Sequence, residues 1–254
     1  MKTYMYGIVA GVASIGCIAA SARAQLNLVT QERVISLRAD YANAIGYTES
    51  PDYDSSAPGA GTWSDSGSVL TGSSTSPYSA ASGSQSSDIG PSNIHGTAGV
   101  SAYATQTLVT DSRWSSALSR IRIRFSVSAA TQVVFDGSID SATYDIWGRG
   151  PEHPVTMKIT NITTGVVLGE VQTGYIHGPL WEIGAPIHLE TTFTPGIYEI
   201  LGEANQSGFG ERPIHGGWSG VGSLSFNLQA VPAPGTALML AALGVPGRRR
   251  RRAD

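Results

Sequence analysis

The chain has 254 residues, a formal net charge of −3 and one cysteine, Cys17. Between Gln25 and Pro234 it carries 9 Lys/Arg against 18 Asp/Glu, a net of −9, which argues against nucleic acid as a partner. About 205 residues between the two ends are enough for one sizeable core. With no cysteine after Cys17, that core has to hold without disulfides.

Lys2 precedes a mainly apolar segment, Ile8 to Ala20, and Ala22-Arg23-Ala24 follows with small-x-small spacing. This is the pattern of a secretory signal over residues 1–24, with the mature start at Gln25. A lipoprotein signal acylated at Cys17 is the alternative. Ser14 and the apolar residues beyond Cys17 fit it less well.

The first strand is expected over Val34 to Ala42. Residues 50–99 are rich in Ser, Gly, Thr and Ala. Their composition predicts loose structure: a loop over about 50–60, then strand-like pieces at Gly61 to Leu70 and Gly96 to Thr107. Ile121, Ile123, Phe125 and Val127 alternate with Arg120, Arg122, Arg124 and Ser126, the signature of a half-buried strand. The arginines form a stripe suited either to an anionic polysaccharide or, the favoured reading, to Asp and Glu on neighbouring strands.

Val133 and Phe135 begin another strand. A loop is expected from Asp136 to Glu152, where Asp136, Asp140 and Asp145 are a candidate structural calcium site. No other cofactor is implied. Val155, Met157 and Ile159 alternate with polar residues. The turn Asn161 to Gly165 then leads into Val166 to Val171 as a hairpin. Leu189, Thr191 and Phe193 precede the turn Thr194-Pro195-Gly196, with Tyr198 and Ile200 after it. Leu224, Phe226 and Leu228 close the body. Short alternating strands divided by Gly, Pro and Ser predict an all-β sandwich or jelly roll over 25–230. Phe193 to Ile200 resembles the Pro-Gly-x-Tyr hairpin of secreted β-sandwich modules, including pre-peptidase C-terminal domains.

No recognised catalytic motif occurs, and the expectation is a protein that is not an enzyme. His95, His153, His177, His188 and His215 lack zinc-like spacing. Glu182 and Glu190 would serve as a glycosidase pair only at a suitable separation and burial. Tyr144, Trp147, Tyr175, Trp181 and Trp218 lie near Gly or Pro and are candidates for stacking on sugar rings. Plugging the end of the sandwich is the competing role.

The C-terminal residues 231–254 read Val231-Pro232-Ala233-Pro234-Gly235-Thr236, an apolar run from Ala237 to Val245, then Pro246, Gly247 and Arg248-Arg249-Arg250-Arg251-Arg252. This order resembles the PEP-CTERM sorting signal of exported bacterial proteins, with Ala233 in place of the usual Glu. The resemblance implies processing by a membrane-embedded exosortase and a surface rich in exopolysaccharide. The nine-residue run is short against roughly 20 for a full span, so transient anchoring through a short C-terminal helix is expected, with the arginines on the inner side. The expected function is a structural or adhesive protein of the cell surface or extracellular matrix. The alternative is a carbohydrate-binding module working through its loop aromatics.

Overall fold

The computed structural model describes residues 25–42, 46–73, 76–105, 112–145, 155–173, 181–210 and 217–231. The expected signal and C-terminal helices, with Ala22, Ala24 and the tail from Pro232, lie outside the described residues. Gln25 is described and immediately precedes the first strand.

The described residues are all-β and form two antiparallel sheets. In chain order the strands are β1 Leu26–Ala42, β2 Thr48–Glu49, β3 Asp52–Ser56, β4 Trp63–Ser73, β5 Ser76–Ile89, β6 Asn93–Thr105 and β7 Ser112–Val127. They continue as β8 Thr131–Asp145, β9 Val155–Asn161, β10 Val166–Gln172, β11 Trp181–Phe193, β12 Gly196–Gly210 and β13 Gly217–Val231. The first sheet has the order β10-β9-β12-β7-β1-β2, with β3 also paired to β1. The second has the order β11-β8-β13-β6-β5-β4.

Alternation builds the core. Ile121, Ile123 and Phe125 of β7 point inward, as do Leu224, Phe226 and Leu228 of β13, and all six are buried. Arg120, Arg122 and Arg124 consequently point outward. Phe193 and Tyr198 flank the Thr194-Pro195-Gly196 turn and stack with ring centroids 4.0 Å apart. The Tyr198 hydroxyl donates to the Thr194 carbonyl at 2.8 Å, which ties the turn to its own strand. Gly165, at φ 74°, supplies the left-handed residue that the β9–β10 turn requires.

Within residues 50–99 the strand-like pieces expected at 61–70 and 96–107 are present as β4 and β6, whereas the loop expected over about 50–60 carries β3, and β5 is a full strand where none was expected. Even the 57–62 connection is tied down. Arg33 is buried and donates from Nη1 to the Gly61 carbonyl and to Ser87 Oγ, both at 2.9 Å. It also bonds to the Gly59 carbonyl, and its guanidinium lies 5.8 Å from the Trp63 ring centroid. β1 likewise begins eight residues earlier than Val34, because Leu26 to Arg33 pair with β7 although their polar side chains break the alternation. The expected loop from Asp136 is strand as far as Asp145.

Candidate functional site

The two sheets use their outer faces differently. On the first sheet, Arg120 bonds Glu203 at 2.6 Å and Glu32 at 3.2 Å. Arg122 and Arg124 both bond Glu199, at 3.0 and 2.6 Å. Burial works to raise the Glu199 pKa, but the hydrogen bonds from Arg124 and Arg122 and their charges outweigh it and hold the carboxyl below its ordinary value. The arginine stripe is therefore engaged in cross-strand pairs and is not held out to a ligand.

The second sheet has no Lys or Arg in any of its six strands. All seven strand-borne cations (Arg33, Arg38, Arg113, Arg120, Arg122, Arg124 and Lys158) are on the first sheet. Register sets the second sheet's outer face in rows. Pro186, Ser138, Ser225, Thr97, Ser86 and Ser64 stand opposite one another in turn across all six strands. A neighbouring row holds His188, Asp136, Asn227, His95 and Asp88. At about 4.8 Å between strands, the first row runs about 24 Å and the second about 19 Å. Hydroxyls pair across the strands, Ser82 with Ser101 at 2.7 Å and Ser138 with Ser225 at 2.9 Å. Toward one end of this face, exposed Leu70, Tyr103 and Val221 add apolar contact area. The result is a broad face of small hydroxyls and amides, with acidic Asp88, Asp136, Asp140 and Glu190 and no opposing Lys or Arg.

The predicted residues fall as follows. Asp136 and Asp140 are not in a loop. They lie four apart on the exposed face of β8, about 13 Å along the strand. Asp136 is instead 2.6 Å from His188 Nδ1, and that hydrogen bond, with its charge, raises the histidine's pKa above its ordinary 6.5. Among the described residues no group of three or more His, Cys, Asp and Glu is placed to hold a metal ion. Glu182 and Glu190 share strand β11, with Glu190 exposed.

Trp218 corrects one sugar-contact expectation. It is 2 % exposed and faces the core, where its ring covers Gly208, a position at which any Cβ would collide with it. No ring face is left for a sugar. Tyr144 is near the end of β8 and Trp181 starts β11, and the register opposes Trp181 with Thr143 and Trp218 with Asp145. The backbone thus brings positions 144, 181 and 218 to one end of the second sheet. Trp147 and Tyr175 lie outside the described residues, as do Pro232, Ala233, Pro234, Gly235 and Arg248 to Arg252. Val231 is the last residue of β13.

The hydroxyl face was not anticipated from the sequence. Its signal was present, since no Lys or Arg occurs between Arg38 and Arg113.

No family model matches the chain. A 90-residue stretch is 36% identical to AT-hook motif nuclear-localized protein 20 of Arabidopsis thaliana. That stretch covers 34% of this chain and 32% of the plant protein, so the chain spans about a third of that relative's length. Among solved structures, the infectious bursal disease virus Gx strain aligns over 85% of this chain and 68% of its own, at 9% identity and a TM-score of 0.16. A score that low gives no argument for a shared fold. No helix among the described residues is long and apolar enough to cross a membrane.

Proposed function

We propose that this is an exported, non-enzymatic protein of the cell surface or extracellular matrix, held within a surface polysaccharide layer through the outer face of its second sheet. The observation that carries the reading is that face: six strands of outward hydroxyls and amides without a Lys or Arg among them. Hydroxyl pairs suit the hydroxyls of a glycan. The acidic side chains and the missing cations disfavour an anionic polymer, so the matching partner is a neutral polysaccharide. Nucleic acid is disfavoured on the same ground.

The alternating assignment of β6 to β13, as β11-β8-β13-β6 in one sheet and β10-β9-β12-β7 in the other, supports a jelly-roll reading of the body. The ordering of the tail residues supports delivery by a sorting signal, with an exosortase-type enzyme as processing partner. The second reading is a carbohydrate-binding module whose contacts come from Tyr144, Trp147, Tyr175 and Trp181. The convergence of positions 144 and 181 at one end of the second sheet favours it.

Co-sedimentation of the purified chain with insoluble neutral glucan and with alginate gel tests the proposal. Pelleting with the glucan, reduced at least several-fold by Ser225→Lys or Ser138→Lys, is the expected result. Equal pelleting of both variants with wild type would reject the face. Loss only in Trp181→Ala would move the contact to the loop aromatics.

A further inference from the structure

At one end of the sandwich the connections are short and uncharged. The turns at 90–92, 128–130, 161–165 and 194–196 contain no Asp, Glu, Lys, Arg or His. One backbone bond joins the two sheets there: Leu26 N–H donates to the Pro91 carbonyl at 2.7 Å. Within the second sheet Ala230 N–H donates to the Ser92 carbonyl at 2.9 Å, and within the first Ile162 N–H donates to the Ile197 carbonyl at 2.8 Å, which fixes the turns. Apolar side chains project from this end or within a few residues of it. Among the described residues, nine large hydrophobics are exposed, and Val29, Ile162, Val166, Val167 and Ile197 are five of them. At the other end β6, β8 and β12 stop at Thr105, Asp145 and Gly210, and the sequence between each of them and the next strand includes Asp111, Arg149, Glu152, Glu211 and Arg212. The molecule is therefore polarised along its strands.

The chain leaves β13 at the uncharged end. Val231 stands opposite Gln132, beside the 128–130 turn. The sequence then continues for 23 residues through the apolar run Ala237 to Val245 and the five arginines.

We propose that this end rests on a lipid surface, with Ile162, Val166 and Ile197 at the boundary between headgroups and acyl chains. The inference depends on the membrane-engaging reading of the tail, which holds the end near a bilayer and makes a small apolar contact sufficient by raising its effective concentration. The contact is apolar and the turns carry no charge, so it needs no anionic lipid and is insensitive to salt. In this orientation the second sheet stands upright on the membrane, with its hydroxyl face turned sideways into the surrounding layer.

The test uses the full chain with Cys17 replaced by Ser, bound to phosphatidylcholine vesicles that contain a lipid-attached quencher. A fluorophore is placed at Thr164→Cys in the β9–β10 turn or, as control, at Ser66→Cys on the second sheet. Expected are several-fold stronger quenching at 164 than at 66, unchanged by added salt, and loss of that difference in Ile162→Asp/Ile197→Asp while the chain still pellets with vesicles. Equal quenching at the two positions overturns the docking but leaves the tail reading intact. So does a probe at 164 that is already shielded without vesicles, the result expected if the tail or a second copy covers the patch. Failure of the chain to pellet with vesicles at all overturns both.

Discussion

Glu199 shows how one residue sets the properties of a whole face. Its side chain is 9% exposed and accepts from both Arg122 and Arg124. Substitution to Gln removes the charge and leaves the two arginines with a neutral amide oxygen in place of the carboxylate, for an expected loss of about 1–2 kcal/mol by urea denaturation, discounted because the arginines themselves are partly in water. Its carboxyl titrates below its ordinary value of 4.5 in the folded chain. The folded pKa is lowered, so the stabilisation is fully present above pH 4.5 and disappears as pH falls through the lower folded value. Wild type is therefore expected to lose its advantage over Glu199→Gln in acid, a difference that melts recorded across that range would show. Arg33 has a comparable role inside. Arg33→Met leaves the Gly59 and Gly61 carbonyls without their donor, with an expected cost of about 2–3 kcal/mol. Faster proteolysis within 57–62 would accompany it.

Elements whose inward side is large were legible in the sequence, and those whose inward side is small were not. Ile121, Ile123 and Phe125 announce β7, and Val155, Met157 and Ile159 announce β9, because each places bulky residues every second position. β5 presents Ser79, Ala81, Gly83, Gln85 and Ser87 to the core, so no hydrophobic period is visible. The bulk around β5 and β6 comes from the opposite sheet and from the neighbouring strand β13. A Cβ on Gly83 would meet Ile35 and Leu37, and one on Gly96 would meet Ile121 and Phe226 at 2.8 Å. Hydrogen bonds replace some of the missing apolar contact, with Gln85 Nε2 donating to Ser119 Oγ and to the Arg120 carbonyl at 3.0 Å. Low hydrophobicity in 50–99 thus reflects close approach of the sheets and not looseness. Gly96→Val is expected to overpack this contact by about 1–3 kcal/mol and lower the melting temperature by several degrees. The hydroxyl face was hidden for a related reason, since its rows exist only once β11, β8, β13, β6, β5 and β4 are set in register.

At the scale of the molecule, charge and chain direction are both asymmetric. Among the described residues the strand-borne cations are confined to the first sheet, and β13 ends beside turns that carry no charge. The sorting proposal is tested by fractionating cells that express the intact chain or one lacking 231–254. The intact chain is expected in the envelope and matrix fractions and the shortened one in the soluble fraction, whereas identical distributions would remove the proposal.

The position of β1 also has a consequence in time. Leu26 pairs with Val127 and Val34 with Arg120, and β12 completes the other side of β7 only from Gly196 onward. The N-terminal strand therefore has no partner on its β7 side until about half the chain has been synthesised, and the central strand of the first sheet waits longer still. Closing such distant pairs is slow, with refolding expected on a scale of roughly milliseconds to seconds by stopped-flow fluorescence. A nascent chain that stays open this long could still be threaded through a translocation channel, so the strand order is compatible with the export proposed above.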